Sequence, residues 1–271
     1  MNYYTGWGRV FPAYVVFLLD QSASMMNVSL GGGNRAEIVA RNIQEAILEI
    51  VRMCVHGEEI RDRAFISVIG YGQSNNSAHI IRQGWVSDWA DDILIARKNN
   101  SCIIPVVAEG CANMNDGFHL AYDMIKEWIS FREDEYKINN NYGLGPIIVI
   151  NITKGTTVNE QDTYDAAQEI MALPNTTLFN IVIPHESFES IDIVYPNSKQ
   201  IIADICEPNR PEWLFDISSK LPERCVSLAK VLGLDNITEE SRGVIVSCEE
   251  GSAALLIQSM LPFGNNHSEY R

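Results

Sequence analysis

Val15-Val16-Phe17-Leu18-Leu19-Asp20-Gln21-Ser22-Ala23-Ser24 decides how this chain folds. Five apolar residues in a row predict a strand buried on both faces, as in a parallel sheet. The run stops at a carboxylate, and two serines follow at alternate positions. Open α/β sheets bind ligands at the carboxyl ends of their strands, so Asp20, Ser22 and Ser24 form the first candidate site. Three hard oxygen donors at this spacing suit Mg²⁺ or a similar cation, with positions left for a partner's carboxylate. The same string also reads as a turn with helix-capping serines.

Outward from this stretch, Val39, Ile43, Ile47, Ile50 and Cys54 recur at intervals of three and four and predict a helix over 35–55. Strand followed by helix opens an α/β pattern. Strands are predicted over 63–71 and 78–86, joined by the turn residues 72–76 into a hairpin at a sheet edge. A short helix is expected over 88–97, irregular chain over 98–113, and a helix over 114–132 with Phe118, Ala121, Ile125 and Trp128 on one stripe. Buried strands are predicted at 147–152 and 178–183, with a helix over 159–173 between them. A last strand is expected at 200–205 and helical segments at 212–232 and 249–260, with a long irregular excursion over 184–211. The fold class is therefore α/β and Rossmann-like: a central, mostly parallel sheet of about six strands, one antiparallel edge strand, and helices on both faces. Residues 1–11 read as an N-terminal extension, 12–260 as one domain with a helical appendage from about 212, and 261–271 as a tail.

The Asp20-Gln21-Ser22-Ala23-Ser24 string after the first strand resembles the hallmark of the von Willebrand factor A (VWA) domain family, and the likeness extends over residues 12–260. Glu109-Gly110-Cys111-Ala112-Asn113-Met114 stands where that family has a glycine, a threonine and a helix start. Ile148-Val149-Ile150-Asn151-Ile152-Thr153-Lys154-Gly155 stands where it has an apolar strand ending in Thr-Asp-Gly. Trp213-Leu214-Phe215-Asp216-Ile217-Ser218-Ser219-Lys220-Leu221-Pro222 is similar to a segment of bacterial intracellular members, those of the tellurium-resistance and phosphorylation-triad type. The resemblance implies a metal-ion-dependent adhesion site at Asp20, Ser22 and Ser24, but a degenerate one. Ala112 replaces the metal-ligating threonine and Lys154 replaces the strand-end aspartate. An ammonium at about 4–6 Å from a cation repels it by several kcal/mol in a protected site. Lys154 is alternatively placed to pair with Asp20, its ammonium in the role of the ion, and Asn113 stands beside the lost threonine.

Composition narrows the function classes. The chain has 271 residues, 46% hydrophobic and 20% charged, which is globular rather than disordered. A net charge of −15 with no basic run argues against nucleic-acid binding. No apolar stretch approaches the ~20 residues of a membrane span, so no membrane partner is expected. Met1–Pro12 shows no basic segment followed by an apolar one, and Cys54, Cys102, Cys111, Cys206, Cys225 and Cys248 form no CxxC pair. Both features suggest reduced thiols in the cytoplasm. Gly31-Gly32-Gly33-Asn34-Arg35-Ala36 carries a dinucleotide-like spacing but lies too far beyond Asp20 to be the turn off the first strand, and reads as a rim loop. A hydrolytic reading of Ser22 and Ser24 needs a histidine base. His56, His79, His185 and His267 lie away from the strand ends, and His119 sits in the first turns of a helix.

The expectation is a non-catalytic protein-interaction module, an adaptor in a bacterial intracellular assembly. It needs no cofactor beyond a weak Mg²⁺, and Asp20, Ser22, Ser24, Asn113 and Lys154 contact the partner. The acidic charge predicts a partner with a basic patch. A Mg²⁺-dependent adhesion module and a nucleotide-binding or hydrolytic enzyme at the same strand ends are the competing readings.

Overall fold

The computed structural model describes residues 1–3, 6–27, 33–73, 77–184, 193–205, 211–223, 225–227, 236–247, 252, 254 and 257. Strand β1 (Ala13–Asp20) is buried along its whole length. Its odd residues Val15, Phe17 and Leu19 enter one core, and its even residues Tyr14, Val16 and Leu18 enter the other. This alternation follows from the two-residue side-chain period of a strand covered on both faces.

A short 3-10 helix (Ala23–Met26) follows β1, then α1 (Arg35–Cys54). The Asn34 side chain caps α1 by accepting the Glu37 N–H at 2.8 Å. A small antiparallel pair, β2 (Val55–His56) and β3 (Glu59–Ile60), leads into β4 (Ala64–Tyr71), β5 (His79–Trp85) and α2 (Val86–Lys98). After an irregular segment come α3 (Met114–Ile138), β6 (Ile147–Thr153), α4 (Glu160–Met171) and β7 (Thr176–Val182). The chain continues through β8 (Ile193–Val194), α5 (Lys199–Ile205), α6 (Trp213–Asp216) and β9 (Val244–Val246).

The main sheet has seven strands in the order β5-β4-β1-β6-β7-β9-β8. β4, β1, β6, β7 and β9 run parallel, while β5 and β8 are antiparallel to their neighbours. Helices α1 and α2 cover one face, and α3, α4 and α6 cover the other. The expected α/β, mostly parallel architecture is present, with an antiparallel strand at each edge rather than one.

Two expectations need correction. Residues 200–205 form helix α5, not a strand. Ile201 and Ile202 sit side by side in a run too short for periodicity to separate the two structures. The Ser198 hydroxyl accepts the Gln200 N–H and starts the helix. Of the predicted helix over 212–232, the described residues are helical at Trp213–Asp216, 223 and 225–227, with a turn at 217–218 and a bridge from Lys220 to Arg242 between them; 224 and 228–235 lie outside the described residues. The sequence expectation missed β8 and β9. Of the predicted 249–260 helix, only 252, 254 and 257 are described, and they are helical.

The described part of residues 1–11 is tied to the rest. Tyr3 bridges Leu144, and the buried Arg132 donates to the Val10 carbonyl at 2.7 Å and the Gly143 carbonyl at 3.1 Å. Among the described residues, no helix is long and apolar enough to cross a membrane.

Candidate functional site

Adjacent parallel strands end together, so the carboxyl ends of β1, β4 and β6 form a crest carrying Asp20, Tyr71 and Thr153. Its loops are stitched backbone to backbone. The Gln21 N–H donates to the Tyr71 carbonyl and the Gln21 carbonyl accepts the Glu109 N–H, both at 2.8 Å. The Ala23 N–H donates to the Gly110 carbonyl at 3.1 Å. So close an approach leaves no room for side chains at two points. Gly110 has φ +77°, and a Cβ there would lie 2.5 Å from the Gln73 backbone. Gly72 has φ +90°, and a Cβ there would lie 2.9 Å from the Cys111 carbonyl oxygen.

Asp20 is almost wholly buried. Its Oδ1 accepts the Ser22 N–H at 2.9 Å, and its Oδ2 accepts the Thr153 hydroxyl at 3.1 Å. Burial raises its pKa above the usual carboxylate value, against the opposing pull of Ser22, the Lys154 charge and Thr153. The Ser22 and Ser24 hydroxyls pair with each other at 3.1 Å. Lys154, the residue after Thr153, is half-buried. Its pKa is lowered by burial and raised by the Asp20 charge, and the Arg35 charge lowers it further. Arg35 opens α1 behind the serine turn and is buried. Its guanidinium donates to the Ser24 carbonyl at 3.5 Å and the Pro184 carbonyl at 3.4 Å.

The strand ends thus bring Asp20, Ser22 and Ser24 together, with the Lys154 charge acting on Asp20. Asn113 turns elsewhere: its amide donates to the Asp116 carboxylate in the first turn of α3. Ala112 is buried, and its carbonyl accepts the Val158 N–H at 2.9 Å and the Thr157 hydroxyl at 3.2 Å. His119 is exposed on α3, His79 lies in β5 and His56 is exposed in β2; His185 and His267 lie outside the described residues. Residues 28–32, which hold the first two glycines of the rim loop, and 185–192 and 206–210 of the 184–211 excursion also lie outside them.

Thr153 and Arg35 escaped the sequence reading. The signal for Thr153 was available: it ends the strand paired to β1, and parallel pairing sets strand ends side by side. Arg35 carries no such signal, because its approach to Ser24 depends on the path of the loop before α1.

The cation that the family resemblance implies does not fit these residues. Both Asp20 oxygens already accept protein donors, and the two serine hydroxyls satisfy each other. Ala112 offers a methyl group, and the Lys154 ammonium already acts on Asp20, so a second cation there would meet like charge.

A buried polar chain runs beneath the crest. The Tyr71 hydroxyl donates to Asn151 Oδ1 at 2.9 Å, Asn151 Nδ2 to Asn180 Oδ1 at 2.8 Å, and Asn180 Nδ2 to Ser218 Oγ at 2.8 Å. Ser218 Oγ then donates to the Leu214 carbonyl in α6 at 2.7 Å. Asn151, the first residue of a glycosylation-type triplet, is fully buried in β6.

No protein-family model matches the sequence, and no curated protein matches it. Solved structures are similar. The pilus adhesin SpaC of Lactobacillus rhamnosus GG, in its open conformation, matches over 94% of this chain and 30% of its own, with TM-score 0.51 and 10% identity. The PilB minor pilin of Streptococcus sanguinis matches over 92% of this chain and 60% of its own, with TM-score 0.48 and 10% identity. Manganese-loaded TRAP protein of Plasmodium vivax matches over 65% of this chain and 59% of its own, with TM-score 0.38 and 14% identity. This chain therefore spans less than a third of SpaC. At such identities the likeness is one of fold alone, an α/β domain with a mostly parallel sheet.

Proposed function

We propose that this protein is a non-catalytic protein-interaction module that binds its partner at the crest, using a degenerate form of the metal-ion-dependent adhesion site. The observation that carries the reading is the stitched crest itself. Loops after β1 and β4 and the segment before α3 are hydrogen-bonded into one surface, with Asp20 and Ser22 buried within it as its support and Ser24 partly exposed. A preorganised polar patch binds without first having to be ordered. Exposed apolar side chains flank it: Met26 just after the serines, and Val158, whose N–H is tied to Ala112. Polar anchors with apolar neighbours are typical of interface composition. The non-catalytic reading draws support from Ser22, whose hydroxyl pairs with Ser24 rather than with a histidine.

An adaptor role in a bacterial cytoplasmic assembly accords with the segment 213–222 and with the thiols of Cys54 and Cys111. The net charge of −15 favours a partner with a broadly basic surface, and association that weakens as salt rises. The test is the variant Ser22→Phe/Ser24→Phe, with folding checked by circular dichroism. Capture of native partners should fall sharply. Undiminished capture would move the interface elsewhere, with the 184–211 excursion next to be tested.

A further inference from the structure

We propose that the crest binds a carboxylate side chain of a partner protein directly on Lys154, with no metal ion between them. This rests on the reading of the crest as the interface and names the chemistry it recognises.

The local charge carries the inference. The chain is strongly acidic overall, yet at this crest the half-buried Lys154 feels one buried carboxylate, Asp20, and a second cation, Arg35. Arg35 is committed to the carbonyls of Ser24 and Pro184 and lies behind the serine turn. Lys154 is not committed. Among the described residues its ammonium has no ion pair within 4.0 Å and no hydrogen bond, although it is half-buried. Asp20 does not neutralise it by contact, because both Asp20 oxygens are taken up by the Ser22 N–H and the Thr153 hydroxyl.

A half-buried ammonium without a contact partner has lost part of its hydration and gained no acceptor in return. An incoming carboxylate supplies that acceptor through a charge-assisted hydrogen bond. It also offsets the excess positive charge around Asp20. A basic group at the same place would meet both Lys154 and Arg35 and be repelled. Met26 and Val158, exposed two residues after Ser24 and four after Lys154, suit apolar residues next to the acid. The partner's surface is thus basic at large, with one acidic side chain at the point of contact.

The probes are acetyl-Val-Glu-Val-amide and its twin acetyl-Val-Gln-Val-amide, titrated into the full chain in the presence of EDTA. Binding is followed by the NMR shifts of the Ser22, Ser24 and Lys154 amides. The Glu peptide should shift these signals along a saturable curve, and the Gln twin should bind about tenfold more weakly or less. Lys154→Gln should weaken the Glu peptide by a similar factor while leaving the dispersion of the other amide signals unchanged. Free acetate should shift the same signals only weakly, which separates a protein side chain from a small carboxylate. Equal binding of the two peptides, no binding of either, or binding that appears only when Mg²⁺ or Mn²⁺ replaces EDTA would each overturn the proposal. If the peptides fail while Ser22→Phe/Ser24→Phe still abolishes partner capture, only the Lys154 step is lost. If that variant leaves capture intact, the crest itself is not the interface.

Discussion

Asp20 is held by donors that come from two different strands' ends, one of them invisible to a linear reading of the sequence. The aspartate and its serines were legible because an apolar run broke off at a carboxylate. Thr153 was not, because its role comes from standing next to β1 in the sheet rather than in the chain. Thr153→Val removes the hydroxyl that donates to Asp20 Oδ2 and should cost about 1–3 kcal/mol of stability, measured by urea unfolding. Gly110→Ala tests the stitching of the crest. With φ +77° and a backbone carbon 2.5 Å from the new Cβ, it should destabilise by on the order of 1–3 kcal/mol. It should also disturb the NMR signals of residues 21–23, since Ala23 bonds to the Gly110 carbonyl. An unchanged midpoint would mean the loop relaxes freely and the crest is not preorganised.

Among the elements, long periodic segments were readable and short ones were not. Helix α1 and strands β1, β4, β6 and β7 follow from apolar spacing, since each buries a full face against the sheet or the helices. β8 has two residues and β9 three, too few for any period to show. They are strands only because β7 offers β9 an edge and β9 in turn offers one to β8. The polar chain from Tyr71 to Ser218 was illegible for a related reason. Asn151 and Asn180 interrupt two apolar strands at positions that face each other in register. Asn180→Leu should leave Asn151 Nδ2 and Ser218 Oγ each short of a partner and cost about 1–3 kcal/mol. Combining it with Ser218→Ala should give less than the sum of the two single losses, because the two residues share a bond.

For the molecule as a whole, the two cores carry titratable groups that resist ionising. Burial pushes the Cys54 thiol from 9.0 up to about 12, with Arg63 opposing and Asp62 adding to the rise. Burial likewise pushes the Tyr14 phenol from 10.0 up to about 12, against its hydrogen bond to Ser67. A raised pKa means the unfolded chain loses its proton first. The stabilising contribution is therefore complete below the unfolded value and is lost as pH climbs through the folded one. Stability should fall progressively from about pH 9 to about pH 12, and the variant Cys54→Ala/Tyr14→Phe should flatten that limb. At pH 8, an alkylating reagent should modify the exposed Cys111 in the folded protein and spare the buried Cys54. Rapid modification of Cys54 in the native state would contradict its burial.

The crest draws its backbone from positions as far apart as Gln21, Tyr71, Glu109 and Thr153, and it exists only once β1, β4 and β6 have paired. No partly unfolded chain can present it. A partner that recognises it therefore acts as a folding ligand, drawing the equilibrium toward the native state by mass action. At about a hundredfold excess over its dissociation constant it would add roughly 2.7 kcal/mol to the unfolding free energy of the entire domain. The melting temperature should then rise with partner concentration even though the contact touches only one end of the sheet.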